Sequence, residues 1–99
     1  MPASDFAAIL GVLSAEGVEF IVVGGVSAVL QGAPVTTFDL DVVHSRKADN
    51  VQRLMGALEK LDAHYRSYVM EHRRPGASHL SLPGYQLLMT RYGPLDLLA

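Results

Sequence analysis

The sequence is most informative at first through what it lacks. It contains no cysteine, which excludes disulfide bonds and cysteine-ligated zinc sites. Charged residues make up only 18% of it and the net charge is −2, so it lacks the basic excess of a dedicated nucleic-acid binder. Its longest apolar run, residues 20–30, is interrupted by two glycines and is too short to cross a bilayer. We therefore expect a soluble, cytoplasmic protein with no membrane association, and nucleotides or small anions stay open as ligands.

The length and composition predict a single domain over residues 1–99, because 49% of the 99 residues are hydrophobic and supply a core. Apolar spacing of three and four predicts helices, with Ser4 as the first N-cap, and alternating or β-branched runs predict strands. We expect the first strand to be buried on both faces. In chain order the predicted elements are a helix over 4–15, a strand over 19–23, a helix over 26–30, a strand over 38–43, a helix over 48–61, and a hairpin over 85–91 and 95–98.

This order of elements predicts an α/β or α+β fold, with helices packed on a small mixed β-sheet. Residues 65–83 are irregular by pattern, with room for a short strand around Tyr68 or His79. In the hairpin, the alternation of Tyr85, Leu87 and Met89 predicts core packing.

Two aspartates, Asp39 and Asp41, interrupt a strand that continues into apolar residues. Residues two apart point to the same face of a strand, so these carboxylates stand side by side, roughly 7 Å apart along the backbone. Like charges this close raise each other's pKa, and a divalent cation relieves the repulsion. Carboxylate oxygens suit Mg²⁺, which completes its shell with water and substrate phosphates. The alternative is a solvated strand edge with two exposed acids.

The preceding strand ends at Gly24 and Gly25, and Ser27 lies just inside the next helix. Glycines let the backbone approach a phosphate closely, and a helix start offers unpaired N–H groups. A Gly-Gly pair also occurs in many ordinary tight turns.

A third acid, Asp96, lies between leucines in the last predicted strand. A buried charge there needs a partner or a metal ion. The alternative is an exposed acid that keeps an edge strand from aggregating.

Together these segments resemble the DNA polymerase β-like nucleotidyltransferase superfamily, and especially its small bacterial members of the minimal and abortive-infection types. The resemblance lies in Val22-Val23-Gly24-Gly25-Val26-Ser27, then Thr37-Phe38-Asp39-Leu40-Asp41, and Gly93-Pro94-Leu95-Asp96. Family chains usually continue past the third aspartate into further helices, whereas this sequence stops at Ala99, as a minimal form or a fragment would.

The resemblance implies transfer of a nucleotidyl group from a nucleoside triphosphate such as ATP to a hydroxyl on a protein, a tRNA or a small molecule. Asp39, Asp41 and Asp96 would bind Mg²⁺, with two ions in the active complex. Gly24, Gly25 and Ser27 would hold the phosphates that leave as pyrophosphate.

Two other functions fit the same residues. One is a non-catalytic nucleotide-binding module of a toxin–antitoxin pair, with an antitoxin-type protein as partner. The other is a metal-dependent phosphohydrolase built on the same carboxylates. A homodimer is a further expectation, from an open sheet end near Ala99. The basic residues Arg66, His72, Arg73 and Arg74 form a loop that could meet an acceptor or a phosphate, and we favour the alternative of a simply solvated loop.

Overall fold

The computed structural model describes residues 4–32, 39–67 and 73–99. Its helices are α1 (Phe6–Ala15), α2 (Gly24–Leu30), α3 (Ala48–Lys60) and α4 (Ala77–Leu80). Its strands are β1 (Phe20–Val23), β2 (Leu40–His44), β3 (His64–Tyr65), β4 (Tyr85–Thr90) and β5 (Gly93–Leu98).

The strands form one mixed sheet in the order β1-β2-β5-β4-β3. The β2–β5 pair is parallel and the other three pairs are antiparallel. This architecture confirms the predicted fold class, a small mixed sheet with helices packed on it. The terminal strand β5 is central, and Gly84 and Ala99 bond to each other's backbone. The prediction of an open sheet end at Ala99 is therefore wrong, because the sheet edges are β1 and β3. That open end was the reason given for expecting a homodimer.

One face of the sheet forms the core with the helices. Leu40 and Val42 of β2 and Leu95 and Leu97 of β5 are fully buried there. Burying each such side chain contributes about 1.5–3 kcal/mol. Helix residues of the same cluster include Ile9, Leu13, Val51, Leu54 and Leu58. Within the described ranges, no helix is long and apolar enough to cross a membrane.

The other face of the sheet is open. Ile21, Tyr85 and Leu87 are 62%, 68% and 47% exposed on it, so the predictions of a first strand buried on both faces and of a core role for Tyr85 and Leu87 are wrong. The register places Leu88 opposite Leu95, which turns the alternate set of β4 residues toward the core. Both sets in β4 contain apolar residues, so alternation alone could not identify the buried one.

Local hydrogen bonds account for the remaining differences at element ends. Asp5, rather than Ser4, caps α1, and its carboxylate accepts a hydrogen bond from the Ala8 N–H at 3.0 Å. The irregular segment begins with Tyr65, the last residue of β3, and His79 lies in α4 rather than in a strand. Tyr68 lies outside the described residues.

Candidate active site

Asp41 and Asp96 meet on the open face of the sheet. They are direct neighbours in the parallel register of β2 and β5. The residues on either side of each aspartate are buried in the core, so both carboxylates point away from it. The fold thus brings together two acids that are far apart in the sequence.

The surroundings of Asp41 disfavour its charged form. Burial raises the pKa of Asp41, and a hydrogen bond with the Asp96 carboxyl group raises it further. The negative charges of Asp96 and Asp39 act in the same direction, while the Arg66 guanidinium lowers the pKa of Asp41. The pair is therefore short of positive charge, and a proton or a cation stabilises it.

Asp39 lies directly before β2 and its side chain is exposed. Its charge raises the pKa of Asp41, which places it within electrostatic reach of the pair. Of the motif that carries Asp39, Thr37 and Phe38 lie outside the described residues.

Asp96 is only 8% exposed, and its Oδ1 atom is buried. Arg66 Nη2 lies 2.6 Å from Oδ1 as an ion pair, but within the described part of the chain no donor reaches this oxygen with hydrogen-bond geometry. Arg66 Nη1 donates a hydrogen bond to the Leu88 carbonyl at 3.0 Å.

Arg66 is the residue at this site that sequence reasoning assigned to a solvated loop. Its backbone N–H donates to the Leu87 carbonyl at 3.2 Å, and Leu87 lies opposite Asp96 in the sheet. Arg66 reaches Asp96 only because β3 is next to β4 and β4 is next to β5. No local pattern around Arg66 encodes that strand order.

Gly24 packs directly against Asp41. Its φ is +70°, a backbone conformation that favours glycine, and a Cβ at this position would overlap Asp41 Oδ2. Val23, the residue before it, pairs with Asp41 across β1 and β2. The glycine turn and the second aspartate of the Asp-x-Asp motif are thus parts of one local structure.

Gly25 and Ser27 lie in the first residues of α2. Ser27 Oγ accepts a hydrogen bond from Gln31 Nε2 at 3.1 Å. Both residues follow directly on the turn that contacts Asp41, so any ligand held there is adjacent to the carboxylates.

The donor chemistry of this site fits a magnesium ion. Within the described residues, no three His, Cys, Asp or Glu side chains converge into a complete ligand set. Mg²⁺, however, is usually bound by one or two carboxylates and completes its shell with water and substrate phosphates. The buried Asp96 oxygen, which no donor among the described residues reaches with hydrogen-bond geometry, and the Asp41 carboxylate, crowded by neighbouring negative charge, are oxygen ligands of this kind.

No protein-family model and no curated protein matches the chain. A solved structure does match it, that of a Thermotoga maritima protein described as a candidate nucleotidyltransferase. The TM-score is 0.58 and the sequence identity 17%, over 95% of this chain and 53% of the other. The chain therefore spans about half the length of that structure. At this identity the likeness establishes the fold, and this chain has a nucleotidyltransferase-like fold.

Proposed function

We propose that this chain is a magnesium-dependent nucleotidyltransferase that moves a nucleoside monophosphate from a triphosphate to a hydroxyl acceptor and releases pyrophosphate. The observation that carries the proposal is the meeting of Asp41 and Asp96 beside the Gly24 turn. Chemistry at a triphosphate needs anionic oxygens that hold a cation next to a backbone that phosphate can approach closely.

In the proposed reaction, the oxygen of the acceptor hydroxyl forms a bond to the α-phosphorus. The bond from that phosphorus to the α–β bridging oxygen breaks, and pyrophosphate leaves with the electron pair. Bound Mg²⁺ would neutralise phosphate charge and lower the pKa of the acceptor hydroxyl. The proton of the hydroxyl passes to solvent water, because Asp41 and Asp96 hold the cation.

The proposed binding roles follow from position in the fold. Asp41 and Asp96 hold the cation, and exposed Asp39 completes the negative patch on the side open to ligand. Gly24, Gly25 and Ser27 contact the β- and γ-phosphates through backbone N–H groups and the serine hydroxyl. The acceptor we propose is a hydroxyl on a protein, a tRNA or a small molecule.

Calorimetric titration with ATP, with and without Mg²⁺, followed by a labelled-nucleotide transfer assay, tests this function. We expect Mg²⁺-dependent binding and transfer that the double variant Asp39→Ala with Asp41→Ala abolishes. Asp49→Ala with Asp62→Ala is the matched control, because it removes two exposed aspartates elsewhere in the fold.

Each other outcome has a definite meaning. Unchanged binding in the Asp39/Asp41 double variant would overturn the proposal. Binding without transfer to any acceptor would instead favour the non-catalytic toxin–antitoxin module. Release of inorganic phosphate in place of pyrophosphate would favour the phosphohydrolase.

A further inference from the structure

Arg66 is held at the site by two unlike contacts. Its Nη1 makes a hydrogen bond to the Leu88 carbonyl at 3.0 Å. Its Nη2 faces Asp96 Oδ1 at 2.6 Å as an ion pair, without the geometry of a hydrogen bond. The backbone contact anchors the guanidinium, and the contact with Asp96 is electrostatic. Such a contact can be exchanged while the anchor is kept.

This ion pair is more buried than others in the described structure. The Arg66 and Asp96 side chains are 25% and 11% exposed. The side chains of the Arg53–Asp49 pair are 35% and 71% exposed. Those of the Arg74–Asp62 pair are 52% and 53% exposed. Exposed pairs contribute little, whereas a buried carboxylate that loses its counter-ion is strongly destabilising. Arg66 therefore matters most when no other cation is beside Asp96.

A divalent cation bound by Asp41 and Asp96 would sit next to the same buried oxygen that Arg66 faces. Two cations close together on one carboxylate repel each other, so the guanidinium and the metal compete for Asp96. A displaced guanidinium that remains anchored at Leu88 lies beside the carboxylates, where the triphosphate is proposed to bind. Its planar fork of donors matches a phosphate group.

We propose that Arg66 is an exchangeable counter-ion, which neutralises Asp96 in the metal-free protein and moves to a phosphate oxygen of the nucleotide when a divalent cation binds. This inference rests on the proposed function. It adds a residue outside the three-aspartate motif, and it makes Arg66 act in opposite directions on the two ligands. Arg66 weakens metal binding and strengthens nucleotide binding.

The test compares Arg66→Gln with Arg74→Gln in the full chain. Arg74 is a matched control, because its Nη1 donates to the Ala63 carbonyl and its Nη2 pairs with Asp62. Both partners directly precede β3, which lies three strands away from the strand of Asp41. Mn²⁺ affinity is measured by the loss of the free-ion electron paramagnetic resonance signal, ATP affinity by calorimetry at saturating Mg²⁺, and thermal stability with chelator and with Mg²⁺.

We expect Arg66→Gln to bind Mn²⁺ about tenfold more tightly, since a competing charge is gone. We expect the same variant to bind ATP about tenfold more weakly, since a charged hydrogen bond is lost. Its melting temperature should fall in chelator and recover with Mg²⁺. Arg74→Gln should leave both affinities unchanged. A residue with only a structural role would not move the two affinities in opposite directions.

Equal Mn²⁺ affinity in wild type and Arg66→Gln would overturn this inference and leave the proposed function standing. Absence of Mn²⁺ binding in both would overturn the two together. If Arg66→Gln does not fold, Arg66→Lys keeps the positive charge and loses the planar pair of N–H donors of the guanidinium. It should keep the wild-type Mn²⁺ affinity and still lose ATP affinity, and unchanged ATP affinity there would also overturn the inference.

Discussion

Two aspartates show how strongly position decides the behaviour of one residue type. The pKa of Asp41 is raised by burial and by its acidic neighbours. The pKa of Asp62 is lowered, chiefly by its hydrogen bond with Arg74 and by the charge of that arginine. The folded protein therefore holds a proton more tightly at Asp41, and more weakly at Asp62, than the unfolded chain does.

These shifts have opposite consequences for stability. The contribution of Asp41 is fully present below its unfolded pKa, near 3.8, and is lost as pH rises through its higher folded value. The contribution of Asp62 is present above its unfolded pKa and is lost as pH falls through its lower folded value.

We expect Asp41→Asn to make the protein more stable at neutral pH, because the variant removes a crowded negative charge and keeps a hydrogen-bonding side chain. The gain should lie within the 0.5–2 kcal/mol common for such substitutions, near the lower end because the site is partly solvated. Urea unfolding at about pH 7 and about pH 3 measures the difference, which should vanish at the lower pH, below the unfolded pKa of the aspartate. Asp62→Asn should change stability in the opposite direction at neutral pH. Equal effects of the two variants would contradict the assigned environments.

Gly24 and Gly32 separate a backbone effect from an effect on the site. Both have positive φ, +70° and +94°, but a Cβ at Gly24 overlaps Asp41 Oδ2, whereas a Cβ at Gly32 meets no atom of the described residues within 4 Å. Gly32→Ala should cost about 1–2 kcal/mol from the left-handed backbone alone. Gly24→Ala should cost more and should also weaken Mn²⁺ binding, since Asp41 must move. Urea unfolding and Mn²⁺ titration of both variants check this, and unaltered Mn²⁺ affinity in Gly24→Ala would show that the turn does not position Asp41.

The residues predicted from sequence are those whose relations are local. Asp39 and Asp41 are close in the chain, and Gly24 directly follows the strand that pairs with β2. The role of Arg66 depends on contacts through β3, β4 and β5, so a linear pattern could not reveal it.

At the scale of elements, Asn50 joins β1, β2 and α3. It is fully buried at the start of α3. Its Oδ1 accepts from the Glu19 N–H at 2.7 Å, and its Nδ2 donates to the Glu19 and Ser45 carbonyls at 3.1 and 2.8 Å. One side-chain amide thus bonds to the backbone directly before β1 and directly after β2, and it fixes these two strand ends.

We expect Asn50→Asp to destabilise the fold by about 2–4 kcal/mol, although the two side chains have the same shape. The carboxylate would keep the acceptor for Glu19 N–H but would face two carbonyl oxygens with no donor. Asn50→Ser is the contrasting variant, because a small hydroxyl retains a donor without adding a buried charge. Chemical unfolding checks the order, and an Asn50→Asp protein at least as stable as Asn50→Ser would contradict it.

Helices and strands differed in how well the sequence predicted them. The apolar spacing of α1 and α3 gave their extents within two residues, because a helix shows its buried stripe directly. In β4 the register against β5 decides which alternate residues are buried. Leu88 belongs to the buried set, whereas Leu87 is exposed. Register is a property of the sheet, which local alternation cannot supply when both faces of a strand carry apolar residues.

At the scale of the whole molecule, the site depends on the strand order. Placing β5 beside β2 in parallel register brings Asp96 to Asp41, and placing β4 and β3 beyond β5 brings Arg66 to Asp96. The helices pack on one face, and the other face, which carries the two carboxylates, exposes Ile21, Tyr85 and Leu87. The central claim is that this face holds a divalent cation between Asp41 and Asp96.

Mn²⁺ binding to the wild type, Asp41→Asn, Asp96→Asn and Asp62→Asn, followed through the free-ion electron paramagnetic resonance signal, tests that claim most directly. We predict that Asp41→Asn and Asp96→Asn each lose at least about tenfold in affinity. Asp62→Asn removes an aspartate whose pKa is lowered by Arg74 rather than raised. This variant should bind Mn²⁺ with the wild-type affinity. Wild-type affinity in either Asp41→Asn or Asp96→Asn would contradict the shared cation site.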